Sequence, residues 1–348
     1  MRVLVWHVHG SWTTSFVQGR HDYLVPVDAE RGPDGRGRAS TWDWPDTVAE
    51  VAMADLGAHD VDVVVLQRPH EAELVERWLG RRPGLDVPAI YLEHNTPGGN
   101  VPATRHPYAD QQAFPIVHVT GFNRLFWDCG YARTEVIEHG ILDPGHRYLG
   151  DEPRAAVVIN DPIRRSRAVG TDLLVALSET VPLDVFGMGV SGLAEHLGLP
   201  EERMRTFEDL PQHEMHLALA RRRLYVHMTR WTSLGLSLLE AMYLGLPVVA
   251  LATTEVVTAV PPEAGVISTR PEILAEAAQR FLACPADARR VGTAGRQAAL
   301  SRYGLDRFLA DWDRVLDAVA PGQEAESIAA GRPGSADLSD PALSAVLR

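Results

Sequence analysis

Cysteine is almost missing from this chain of 348 residues: only Cys129 and Cys284 occur, far apart. Two such residues build neither a disulfide framework nor the paired spacing of a structural zinc site, and they are expected to be reduced thiols. Long apolar runs are also missing. No stretch reaches the roughly 18 apolar residues that a membrane span needs, and the opening M-R-V-L-V-W-H-V-H-G is too short and too polar for a signal peptide. A cytoplasmic protein is the expectation. Peripheral membrane contact is left open, and the basic segment Arg77 to Gly84 reads first as a solvated helix end. Nor is there an excess of positive charge. The net charge of −13 argues against a general nucleic-acid binder and leaves room for a local basic pocket that takes a small anion.

What is present is ordinary soluble composition, 45% apolar and 23% charged, in a chain long enough for two domains. Short Val- and Ile-rich runs alternate with helical patterns. Strands are expected at Val3–Trp6, Val61–Leu66, Ala89–Leu92, Ile116–Val119 and Glu135–Ile137, with helices at His70–Leu79 and Phe122–Cys129. A polar, turn-rich stretch from Asp143 to Arg154 suits a linker. The pattern then restarts, with strands at Ala155–Ile159, Leu183–Phe186, Leu224–His227 and Pro247–Leu251. Helices are expected at Thr171–Ser178, Gln212–Ala220, Leu236–Leu244 and Glu272–Leu282, then around Ala286–Ser301 and Asp306–Val319. The segment from Pro321, rich in Gly, Ala, Ser and Pro, reads as a flexible tail. The alternation implies two doubly wound α/β domains, residues 1–145 and 146–305, with a terminal helix over 306–320 and the tail over 321–348. In such sheets ligands meet loops at the carboxyl ends of strands, so the natural site is the cleft between the domains.

Four loops are candidates. His7 to Gly19 follows the first strand and supplies Gly10, Ser11 and a helix start that would aim free N–H groups at an anion. It is neither a Walker loop nor G-x-G-x-x-G, and a plain strand-to-helix turn accounts for it as well. Tyr91 to Pro97 places His94 and Asn95 just past a buried strand, where a hydrogen-bonded structural histidine is the competing account. Val157 to Leu174 carries Arg164, Arg165 and Arg167 between a strand and a helix. Three arginines in one loop of an acidic protein favour phosphate over a merely solvated loop. The last is T-S-L-G-L-S-L-L-E-A-M-Y-L-G-L-P-V-V-A, Thr232 to Ala250. Glu240 there sits at the edge of an apolar stripe, where a half-buried carboxylate would seek donors such as a diol; an exposed helix-favouring glutamate is the alternative. Gly245 caps the helix and Pro247 stops it.

This last stretch resembles the signature E-G-F-G-L-x-x-L-E-A-M-A-x-G-x-P-V-V-A of retaining glycosyltransferases of family 4, which have the GT-B fold. V-I-E-H-G-I (Val136–Ile141), the arginine loop and L-D-V-F-G-M-G (Leu183–Gly189) resemble further family segments in the family's order. The resemblance implies roles. Glu240 would bind the ribose hydroxyls. Ser233, Leu234 and Gly235 would present amides to the diphosphate and sugar, and Arg164 would hold phosphate. The family's lysine position falls on Val169, so Arg165 or Arg167 would substitute. Gly10 would let the donor phosphate approach, and His94 would lie by the donor sugar and its reacting carbon. Thr232 stands where the family has a first glutamate, implying either an unusual donor sugar or lost activity. A GT-B sugar transferase without metal or other cofactor follows as the leading expectation. Its partners would be a nucleotide-sugar donor and a small-molecule, glycan or lipid acceptor, with no nucleic acid. A nucleotide-sugar epimerase and a non-catalytic nucleotide-sugar-binding protein are the rivals.

Overall fold

The computed structural model describes residues 1–320, and the tail expected from Pro321 lies outside the described residues. The first half contains β1 (Arg2–Val5), α1 (Gly10–Phe16), β2 (Asp22–Val27), β3 (Val48–Ala52), β4 (Val63–Leu66), α2 (Glu71–Leu79), β5 (Ala89–Glu93), β6 (Ile116–His118), α3 (Gly121–Phe126) and β7 (Thr134–Val136). Its seven strands form one parallel sheet in the order β3-β2-β1-β4-β5-β6-β7. The second half begins with β8 (Glu152–Val158), α4 (Pro162–Arg165), α5 (Thr171–Thr180), β9 (Leu183–Gly187), α6 (Leu193–His196), β10 (Met204–Glu208), α7 (Gln212–Arg221) and β11 (Arg222–His227). It continues with α8 (Leu236–Leu244), β12 (Val248–Leu251), α9 (Val256–Ala259), β13 (Gly265–Ser268), α10 (Pro271–Ala283), α11 (Pro285–Arg302) and α12 (Leu305–Val319). Six parallel strands lie in the order β10-β9-β8-β11-β12-β13.

Parallel strands are covered by helices on both faces, so their sequences run apolar without alternation. Val63–Leu66 and Val248–Leu251 are buried at every position. Each sheet carries one apolar cluster on each face. On one face of the first sheet α1 contributes Trp12 and Phe16, and α12 adds Phe308, Trp312, Val315 and Leu316. The terminal helix therefore returns from the second half to pack on the first.

Four strands escaped the sequence reading. β3, β10 and β13 are edge strands, half exposed, and carry no continuous apolar run. β2 contains Pro26, which lies beyond the residues paired to β1. The expected linker also loses its end, because Glu152 already belongs to β8. The helix expected over Phe122–Cys129 stops at Phe126, where Trp127 turns extended. Among the described residues no helix is long and apolar enough to cross a membrane. Both sheets point their strand carboxyl ends toward one cleft of about 600 Å³ between the halves.

Candidate functional site

One wall of the cleft is built around the start of α8. Its preceding loop supplies Thr232, Ser233, Leu234 and Gly235, all of which line the cleft. At Gly235 an added Cβ would lie 2.8 Å from the ring of His227, so only glycine lets the loop pass over that histidine. The first turn of α8 holds no acidic residue, which leaves its free N–H groups and positive dipole end available to an anion. Glu240 follows one turn later and is 3% exposed. Its Oε1 accepts from Ser11 Oγ at 3.2 Å across the cleft, and its Oε2 lies 3.5 Å from His216 Nε2. The carboxylate is thus buried among hydroxyl and imidazole partners, which disposes of the exposed-glutamate account.

The arginine loop separates its three cations. Arg164 is turned outward, 73% exposed, and pairs with Asp161 at 2.5 Å; it does not line the cleft. Arg167 is likewise outward, held by Asp172 at 2.9 Å. Arg165 alone of the three faces the cleft, with a long 3.5 Å contact to the Asn160 carbonyl and no carboxylate partner among the described residues. The three do not share one helix: α4 ends at Arg165 and the chain breaks at Ser166, whose φ is +43°, so Arg164 and Arg167 turn to the carboxylates that meet them while Arg165 stays on the cleft side. Burial, and then the adjacent Arg164, pull the Arg165 pKa below its ordinary value. Of the three arginines expected at the phosphate, Arg164 and Arg167 lie outside the cleft and Arg165 lines it. Val169, in the resemblance's lysine position, is buried. All 33 basic residues of the chain are arginine, so no lysine anywhere could take that role.

The facing wall comes from the strand ends of the first half. Gly10 opens α1, and a Cβ there would find Trp42 Nε1 and His7 Nε2 only at 3.8 and 3.9 Å, so the glycine leaves space open to the cleft. Ser11 follows, bonded to Glu240 as described. Asn95 lines the cleft with its side chain exposed. Its N–H donates to Glu93 Oε1, and its carbonyl accepts from Trp127 Nε1.

His94 is almost fully buried, its ring 4.0 Å from that of His9. Gln67 decides its tautomer. The Gln67 amide nitrogen donates to the Trp6 carbonyl at 2.7 Å, so the amide oxygen is what meets His94 Nε2 at 3.0 Å. Nε2 must carry the proton, leaving Nδ1 as an acceptor. Burial first, then His9 and His139, hold the His94 pKa well below normal.

Four further cleft histidines, His7, His9, His139 and His227, were not singled out from sequence. His9 and His227 are each lowered to about 4 and His139 to about 3, above all by burial. His139 Nδ1 and His227 Nε2 have no hydrogen-bond partner among the described residues. Each of these residues, like Gln67, lies just past or at the carboxyl end of a strand, the signal that could have found them. The two D-x-D triplets of the chain, Asp60–Asp62 and Asp311–Asp313, do not line the cleft; Asp60 and Asp62 bind Arg2, and Asp313 binds Arg20 and His21. Among the described residues no cluster of three His, Cys, Asp or Glu side chains is placed to hold a metal ion.

The two walls also touch directly. Ser233 Oγ donates to the His94 carbonyl at 2.8 Å, Trp231 Nε1 to the Pro97 carbonyl at 2.8 Å, and the Phe122 N–H to Glu255 Oε2 at 2.9 Å.

Residues 182–298 match the family model of glycosyl transferases group 1. No curated protein matches the chain in sequence. Among solved structures, sucrose-phosphate synthase from Thermosynechococcus elongatus superimposes with TM-score 0.68 at 13% identity, covering 95% of this chain and 100% of that one. HepE from Anabaena, solved in complex with UDP-glucose, gives 0.63 at 14% identity over 95% and 100%. WaaG, a glycosyltransferase involved in lipopolysaccharide biosynthesis, gives 0.63 at 14% over 92% and 100%. These likenesses establish the GT-B fold, two Rossmann-like units facing across a cleft.

Proposed function

We propose that this chain, a glycosyltransferase of the GT-B fold with a glycosyl transferases group 1 segment in its second half, moves a sugar from a nucleoside-diphosphate donor to a hydroxyl acceptor, with retention and without a metal ion. The observation that carries the reading is the convergence on one cleft wall of the α8 N-terminus, the buried Glu240 and Arg165, which has no ion-pair partner among the described residues. An anion and a diol set about one helical turn apart would meet donors and acceptors of matching kind.

The diphosphate would take the amides of Ser233 to Gly235 and the Arg165 guanidinium. Both are fixed before the bond to the sugar breaks, so charge growing on the leaving group meets an environment already arranged for it. Glu240 would exchange its contact with Ser11 for the ribose hydroxyls. His94, neutral and with Nδ1 as an acceptor, would take a hydrogen bond from a hydroxyl of the sugar or the incoming acceptor. Gly10 leaves room for the reacting sugar between the walls, and the three cross-cleft hydrogen bonds would hold the halves closed against water. Thr232 offers the sugar a short neutral hydroxyl where the resemblance expects a carboxylate. Retention rests on the resemblance of the Thr232–Ala250 segment and is checked by the anomeric configuration of the product by NMR.

Titrating the protein calorimetrically with UDP, GDP, ADP and dTDP, each beside its nucleoside and with chelator present, tests the donor site. One diphosphate binding at least tenfold tighter than its nucleoside is expected, and HepE's complex with UDP-glucose makes UDP the first to try. Absence of binding by all four would overturn the reading. Binding without turnover on any acceptor would instead favour a non-catalytic nucleotide-sugar-binding role, with Thr232 as its cause.

A further inference from the structure

The wall opposite Arg165 holds a second arginine that no carboxylate among the described residues neutralises. Arg36 lies in the segment between β2 and β3 and faces the cleft. Its neighbours are fully engaged: Arg31 grips Glu50 with two bonds, at 2.8 and 3.1 Å, and the Arg38 guanidinium holds the carbonyls of Trp44 and Pro45 at 2.7 and 3.1 Å. The Arg36 guanidinium has no ion-pair or hydrogen-bond partner among the described residues, although its backbone is pinned on both sides. Its carbonyl accepts from Arg31, and Gly37 N–H donates to the Pro26 carbonyl at 3.0 Å. Trp44 Nε1 donates to Thr14 Oγ1 at 2.8 Å and fastens the far end of the segment to α1. The arginine is therefore presented on a braced loop with its charge left open.

The surroundings match. A side pocket of about 480 Å³ adjoins the cleft and shares His7, Arg36, Ala39 and Ser40 with it. Its one carboxylate, Glu50, is consumed by Arg31 and by the Arg38 N–H at 2.7 Å. The other cleft carboxylates, Asp209 and Glu240, belong to the opposite half. Ser40, Thr41 and Trp42 add donors beside Arg36, and Trp42 Nε1 is bonded to no described residue. In a chain of net charge −13, this is a wall of donors and positive charge with no free acid on it. The charge of Arg36 is also felt by its neighbours: after burial, it helps lower the pKa of both His7 and His9.

We propose that the acceptor carries an anionic group, phosphate or carboxylate, and that Arg36 recognises it from the first half of the chain while Arg165 serves the donor diphosphate across the cleft. The inference rests on the donor site set out above. A planar guanidinium matches either group bidentately and discriminates strongly against a neutral hydroxyl in its place.

Two measurements test it. The first is titration with inorganic phosphate, of the free protein and of protein saturated with the tightest-binding nucleoside diphosphate. Phosphate should still bind when the diphosphate is in place. Arg36→Gln should weaken it at least tenfold, and Arg164→Gln, outside the cleft, should not. Phosphate binding that ignores Arg36→Gln would overturn the proposal. The second is turnover on matched acceptor pairs: glycerol with glycerol 3-phosphate, and glucose with glucose 6-phosphate and glucuronate. The anionic members should be preferred at least tenfold in kcat/KM, with the preference lost in Arg36→Gln. Preference for the neutral members would refute it.

The source of the anion separates as well. A tenfold loss of diphosphate affinity in Arg36→Gln would place Arg36 on the donor phosphates. Loss of discrimination between uronosyl and hexosyl donors would place it on the donor sugar. Either result removes the acceptor assignment. If no nucleoside diphosphate binds, the donor reading fails, and phosphate titration of the free protein still decides Arg36.

Discussion

Two adjacent arginines with opposite surroundings provide the sharpest test at the level of single residues. Arg164 is paired outward, and Arg165 faces inward with no ion-pair partner among the described residues. Arg165→Ala is expected to weaken the nucleoside diphosphate by ~2 kcal/mol, the scale of a charge-assisted hydrogen bond, and to leave the nucleoside alone. Arg164→Ala should change neither, and calorimetry of the two variants side by side decides. Glu240→Ala should instead weaken diphosphate and nucleoside together, by ~1.5–3 kcal/mol, with an unchanged circular dichroism spectrum; an unaltered nucleoside affinity would remove the ribose contact. Gln67→Leu keeps the volume near His94 but removes the acceptor that fixes its tautomer. We expect kcat to fall by about 10²-fold, within the range ascribed to one positioned proton-transfer or hydrogen-bonding group, with donor KM nearly unchanged. Partial recovery in Gln67→Glu, which restores the acceptor, would mark positioning rather than packing.

Helix α8 is the element on which the site depends. It is apolar nearly all round, with Leu238 to Leu244 buried without a break, so its orientation is set by packing on both sides. Its far end turns at Gly245, whose φ of +94° suits glycine alone, and an added Cβ there would lie 2.6 Å from the His146 ring. Gly245→Ala should cost about 1–3 kcal/mol from backbone strain plus that clash, read as a lower melting temperature and, because α8 carries Glu240, as weaker nucleotide binding. Helix α12 ties the chain end to the first sheet through Trp312 and Phe308, both under 2% exposed. Trp312→Ala should destabilise by ~3–5 kcal/mol, although the residue touches no part of the cleft.

For the whole molecule, buried histidines make stability depend on pH. His9, His118, His139 and His227 titrate at about 4, 3, 3 and 4 in the folded chain, chiefly through burial. Unfolded histidine titrates near 6.5. Between these values the unfolded chain binds more protons, so unfolding free energy rises with pH across the window. Stability is expected to be full above about pH 6.5 and to fall on acidification from there toward pH 4, which thermal unfolding in a buffer series measures. A melting temperature flat across that window would show that the histidines are not held neutral.

Much of this was legible in the sequence. The Val-rich runs at Val63–Leu66 and Val248–Leu251 can only be strands covered on both faces, and the alternation with helices implied two parallel sheets. The run from Thr232 to Ala250 placed loop, helix and strand in order, because Gly235, Gly245 and Pro247 are local backbone constraints that need no partner to act. The edge strands β3, β10 and β13 were illegible because their half-exposed residues follow no continuous apolar pattern. Which of three clustered arginines faces the cleft was also beyond the sequence. That depends on a turn begun by Asp161 in a left-handed conformation and on which carboxylates fold back to meet each side chain. The gathering of His9, His94, His139 and His227 around one cavity, from residues more than two hundred positions apart, likewise follows from two sheets directing their strand ends at each other. Local backbone chemistry is written residue by residue. The pairing of charges across a cleft is decided only when distant strand ends come together.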